Sequence, residues 1–153
     1  MTLRAEITDA MKDALRNKEE RALSTLRMVL AKIKDKDIEA RPKGNATGIL
    51  DDEIRALLQG MIKQRRESIT LYQQGNRPDL VKQESEEITV IERFLPKQMG
   101  EDEVKAVVAK IIADLGAKDI KAMGKVMGEL KKSYTGQLDF AQAGGVVKGL
   151  LGG

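Results

Sequence analysis

Apolar residues return every third or fourth position along this chain, and no stretch alternates apolar with polar as a half-buried strand does. That period restricts the fold to packed helices. Leu3, Ile7, Ala10, Met11, Ala14 and Leu15 trace a first stripe, with Thr2 placed to cap it and Asn17-Lys18 to interrupt it. A second begins near Arg21 and runs through Leu23, Leu26, Val29 or Leu30, Ile33 and Ile38, with charges of alternating sign on its outer face. Residues 41–49, RPKGNATGI, form a loop by composition. Asp51, Asp52 and Glu53 open a third helix, where the dipole favours negative charge. Its stripe uses Ile54, Leu57, Leu58, Met61, Ile62, Ile69 and Tyr72, and its basic cluster Lys63, Arg65, Arg66 is expected on the surface. Gly75-Asn76-Arg77-Pro78 ends it and starts a fourth, with Pro78 in the first turn and Leu80, Glu84, Glu87, Ile88, Ile91 and Phe94 on one face.

Leu95-Pro96-Lys97-Gln98-Met99-Gly100 then stops the pattern, and the composition changes across it. Every arginine lies at or before Arg93, while ten of the fourteen glycines follow Leu95. The expectation is an all-α chain with an N-terminal four-helix domain over 1–94 and a three-helix tail over 95–153. The fifth helix opens on Glu101-Asp102-Glu103, turns Val104, Val107, Val108, Ile111, Ile112 and Leu115 inward, and ends at Gly116. In the sixth, Ile120, Met123, Val126, Met127 and Leu130 share one face and Lys121, Lys125 and Lys132 another, with Gly124 and Gly128 on the border. A Tyr-Thr-Gly joint leads to the seventh, where Asp139 and Gln142 read as a capping box and Phe140, Ala143, Val146, Val147, Leu150 and Leu151 face inward. Gly152-Gly153 reads as a frayed end.

Composition removes several function classes. The chain has neither histidine nor cysteine, so the commonest general base, the thiolate nucleophile, disulfides and zinc fingers are all missing. No phosphate-binding Gly-rich loop of the G-x-x-x-x-G-K-[ST] type occurs, and the serines are isolated. Carboxylate pairs such as Asp51/Asp52, Glu86/Glu87 and Glu101/Glu103 sit at helix starts or on charged faces. No self-sufficient active site, cofactor or metal is expected. The N-terminus does not read as a signal peptide and no apolar run reaches bilayer length, so a cytoplasmic protein without a membrane partner is expected.

The net charge of +3 is concentrated at the end. From Lys118 onward six lysines stand against three acids, which accounts for the whole excess. Glycine inside a helix costs about 1 kcal/mol against alanine, and Gly124, Gly128, Gly144 and Gly145 all fall within helical stripes. Two readings of that cost stay open. The Gly124-xxx-Gly128 pair lets two helices pack closely while the lysines keep the tail solvated. Alternatively, bare backbone beside positive charge meets a sugar-phosphate chain, through Lys121, Gly124, Lys125, Gly128, Lys131, Lys132 and Lys148. With aromatic residues at 3%, stacking on single strands is disfavoured, and a folded, largely duplex RNA fits better than DNA or single-stranded RNA.

The segment MGKVMGELKK, with a short loop and a helix ending VVKGLL, resembles the tail of the GatB/YqeY family. IERFLPKQMGEDEV resembles the hinge of the free-standing bacterial form, and RALSTLRMVLAKIKDKDIEAR its opening, so the likeness covers essentially the whole chain. Near 133–139 the chain has SYTGQLD where the family often has a basic loop, which removes the basis for a loop-borne RNA contact. The resemblance implies a tRNA-associated protein related to glutamine-dependent tRNA amidotransferase. The family-level carbon–nitrogen ligase label describes domains other than this one. The alternative is a helical adapter that docks a protein partner through its N-terminal helices.

Overall fold

The computed structural model describes residues 2–97, 99–134 and 136–152. Met1, Gln98 of the expected hinge, Thr135 of the joint before the last helix, and Gly153 of the terminal pair lie outside the described residues. Among those described, every regular element is helical. The chain divides into two compact units, Met1–Leu95 and Pro96–Gly153, each with its own apolar core.

The first unit holds α1 (Leu3–Arg16), α2 (Glu20–Ala40), α3 (Asp51–Gln74) and α4 (Pro78–Glu92). Thr2 caps α1 by accepting from the Ala5 N–H at 3.2 Å. Glu53 reaches back to the Leu50 N–H at 3.3 Å, holding the acidic start of α3. α1 packs along α2, α3 along α4, and α2 also against α4. Ile7, Leu26, Val29, Ile33, Ile54, Leu58 and Ile91 are sealed between them.

Two residues expected in this core are outside it. Ile38 is 50% exposed, because the position one turn beyond Ile33 belongs to Asp37. Leu15 is exposed as well, since Ala14 takes the inward place at that level. Asp37 explains the loop that follows. Its carboxylate accepts from Arg4 Nη1 at 2.7 Å, Arg4 Nη2 at 2.9 Å and the Ile49 N–H at 2.8 Å, while Arg4 Nη2 also donates to the Ile49 carbonyl. α1, α2 and the loop before α3 are thereby tied at one carboxylate. The Arg4 guanidinium holds the Asp37 carboxyl below the ordinary Asp range against the opposing effect of burial, helped by the Ile49 N–H. Gly48 closes the loop at φ +100°, where a Cβ would lie 2.9 Å from both Arg4 Nη2 and Asp37 Oδ1.

Arg65 is the largest departure from the expected surface cluster. It is only 7% exposed, i+7 from Leu58 on the inward stripe of α3. Nε donates to Glu87 Oε2 at 2.9 Å, Nη1 to the Met61 carbonyl at 3.1 Å and Nη2 to Met28 Sδ at 2.8 Å, with Glu84 4.0 Å away. Glu87, expected both in the stripe of α4 and, as half of a Glu86/Glu87 pair, on a charged face, is buried, and the stripe position is the one that reaches Arg65. Burial and the neighbouring Glu87 charge push the Glu84 carboxyl up, with Arg65 opposing them.

The second unit holds α5 (Glu101–Leu115), α6 (Met123–Tyr134) and α7 (Phe140–Gly152), mutually packed around Val104, Val108, Val126, Leu130, Ala143 and Val147. Gly116 ends α5 in the left-handed region, at φ +62°. The Met99 N–H donates to the Gln137 carbonyl at 2.8 Å, tying the start of the unit to the turn before α7. Asp139 caps α7 through the Ala141 N–H at 2.8 Å. Leu115, Ile120 and Leu150, all expected inward, are exposed. Leu115 is the last residue of α5, and Ile120 belongs to a 3-10 turn (Ile120–Ala122) rather than to α6, so it leaves that helix's phase. Gly152, expected to fray, is helical.

Candidate nucleic-acid interface

α6 has a narrow apolar side. Val126 and Leu130 are buried and Met123, Met127 and Tyr134 half-buried, and all five share one face at 100° per residue. Gly124 and Gly128 lie along the border of that face, and both are exposed. A Cβ built on either would meet nothing within 4 Å, so close helix packing among the described residues does not account for these two glycines. Gly144 differs, because its Cβ would touch the Met123 and Met127 methyls at 3.7 and 4.0 Å, as a helix–helix contact requires. Gly145, like the α6 pair, faces open space.

The lysines stand around this bare strip. Lys125 and Lys132, i and i+7, share the outer face of α6 about 10 Å apart along the axis, and both are exposed. Lys131 borders the strip on the α7 side, with Nζ 6.0 Å from the Phe140 ring centre, at the outer limit of cation–π attraction. Lys148 is i+4 from Gly144, which puts it on the α6-facing edge of α7, two turns beyond Phe140. Lys121 is not on the α6 face with Lys125 and Lys132. It sits in the 3-10 turn, its N–H donating to the Asp119 carboxylate at 3.0 Å. Among the described residues no carboxylate lies within ion-pair distance of Lys121, Lys125, Lys132 or Lys148.

This is a helical surface of bare main chain bordered by ammonium groups. A second feature of the unit is a mainly apolar groove of about 660 Å³ between α5 and α7, lined by Ala106, Ala109, Gly145, Val146, Gly149 and Leu150. Among the described residues no helix is long and apolar enough to cross a membrane.

Fold and surface together define a class, small all-helical proteins of two units whose second unit carries a lysine–glycine face. The chain belongs to the YqeY-like protein family, whose model matches residues 4–151. It is similar to altered inheritance of mitochondria protein 41, mitochondrial, of Kluyveromyces lactis, at 34% identity over 72% of this chain and 59% of that protein. The counterpart in Lachancea thermotolerans is 32% identical over 72% of this chain and 58% of its own length. That of Pyrenophora tritici-repentis is 28% identical over 83% and 68%. The chain thus spans about three-fifths of the two yeast relatives. All three are fungal and designated mitochondrial.

Proposed function

We propose that this protein is a non-catalytic tRNA-associated factor that holds folded RNA on the lysine–glycine face of α6 and α7. The observation that carries this reading is the pairing of two helical glycines facing open space with Lys125, Lys132 and Lys148, which lack acidic partners among the described residues. Helix propensity disfavours those glycines and folded-state packing gives them nothing in return. A phosphate backbone lying against bare main chain supplies a reason for them. Lys125, Lys131, Lys132 and Lys148 serve as phosphate contacts in this reading, Lys121 as an outlying one, and Gly124 and Gly128 as the close-approach surface. The resemblance of residues 123–151 to the tail of the tRNA amidotransferase B subunit supports tRNA as the RNA and a holding role. The compartment would be one containing tRNA, either the cytoplasm or, as the relatives' designation suggests, the mitochondrial interior.

The test is a titration of bulk tRNA at several salt concentrations. Each lost phosphate contact lowers the magnitude of the log K against log salt slope by about 0.7–0.9. A variant combining Lys121→Ala, Lys125→Ala, Lys132→Ala and Lys148→Ala should show a slope shallower by about 3 with unchanged helicity. Absence of wild-type binding at low salt would sink the reading. It would favour the second one, a helical adapter that docks a protein partner through its N-terminal helices.

A further inference from the structure

The Arg65 cluster contains a reactive atom that packing alone does not require. Arg65 gives Nε to a carboxylate and Nη1 to a backbone carbonyl, but Nη2 to the Met28 thioether, a weak acceptor for a buried cation. Met28 is 39% exposed. Among the other described methionines, Met61 is buried and Met11, Met99, Met123 and Met127 are half-buried. The most exposed of the described methionines is therefore also the one whose sulfur touches the buried ion pair joining α3 to α4.

We propose that Met28 is an oxidation site for small hydroperoxides, and that its sulfoxide binds the Arg65 guanidinium more tightly than the thioether does. In the reaction a sulfur lone pair attacks the distal peroxide oxygen. The O–O bond breaks, an S–O bond forms, and the peroxide remainder leaves as water or an alcohol after taking up a proton. Sulfur is oxidised by two electrons and the peroxide reduced by two.

An N–H···O bond spans about 3 Å, and Sδ already stands 2.8 Å from Nη2. The sulfur must withdraw to admit the oxygen, which three rotatable bonds at a partly exposed site allow. A strong acceptor then meets a charged donor where a weak one stood, and such bonds are roughly twice as strong as neutral ones. Oxidation here tightens the junction of α2, α3 and α4, whereas methionine oxidation in a core ordinarily disrupts packing. Sulfoxide reductases would reverse it.

The experiment uses the full chain with hydrogen peroxide, dosed to one oxygen per molecule, peptide mapping and urea unfolding. Met28 should oxidise first, about tenfold faster than the buried Met61. The urea midpoint of the singly oxidised protein should lie above that of the reduced protein. Met28→Gln, which offers a carbonyl oxygen from an unbranched side chain, should unfold at higher urea than Met28→Leu, which offers no acceptor. Leucine is at least as good a helix former as glutamine, so that order reports the acceptor and not the helix. Initial oxidation at another methionine, an unchanged or lowered midpoint on oxidation, or Met28→Gln at or below Met28→Leu would each overturn the proposal.

Discussion

The two units of this protein use charge in opposite ways. The first contains all the arginines, and several of them join one helix to another. Arg4 reaches Asp37 from α1 to α2, Arg21 reaches Glu86 from α2 to α4, and Arg65 and Arg66 reach Glu87 and Glu92 from α3 to α4. The second contains no arginine. There Lys105 pairs with Glu101 at 3.8 Å, within a single helix turn. A planar guanidinium makes several fixed hydrogen bonds at once and suits a junction, whereas a lysine ammonium stays hydrated on a mobile stem. Charge in the first unit joins its helices to one another. In the second, Lys121, Lys125, Lys132 and Lys148 have no acidic partner among the described residues.

Breaking the most buried junction should have the largest effect. Arg65→Ala leaves Glu87 and Glu84 facing each other in a dry site, and removal of one partner of a buried pair costs about 3–5 kcal/mol. Urea unfolding followed by circular dichroism should show a loss of that size. A change below about 1 kcal/mol, the ordinary range for exposed pairs, would mean that the arginines do not hold the unit.

The Arg4–Asp37 junction should add acid sensitivity. Because the Asp37 carboxyl titrates below its unfolded value, its contribution is fully present above an unfolded pKa of about 3.9. It disappears as pH falls from there through the folded value. Asp37→Asn should cost about 1–2 kcal/mol at neutral pH, and the gap from wild type should close in that acid window. A gap that stays constant from pH 6 to pH 2 would remove Asp37 as its source.

The smallest effect has the opposite sign and sharpens the contrast. Gly124→Ala and Gly128→Ala should each raise stability by up to about 1 kcal/mol, since the added methyl meets open space on a helix. The same changes should weaken tRNA binding if the backbone must approach a phosphate chain. A loss of stability would show instead that these glycines are needed for packing.

Much of this architecture was legible in the chain. Periodicity located the helices, and Thr2, Pro78, Gly116 and Asp139 marked ends that the structure places within a residue or two. The candidate face was only partly legible. Spacing put Lys125 and Lys132 on one face of a helix with Gly124 and Gly128 on its border, but it extended that helix through Ile120 and Lys121, which lie in a 3-10 turn. Capping of that turn by Asp119 decides the difference, and a stripe of apolar residues does not register it.

By itself the sequence determined an all-helical chain whose composition changes at Leu95-Pro96, because helix period, caps and breakers act over a few residues and can be read locally. Only the tertiary structure decided that Arg65 lies inside, that Asp37 ties a loop, and that Gly124 and Gly128 face open space while Gly144 meets a neighbouring helix. Those outcomes depend on residues 12 to 37 positions away in the chain, or on another helix altogether. No local pattern encodes which side of a polar or glycine position that distant neighbour will occupy.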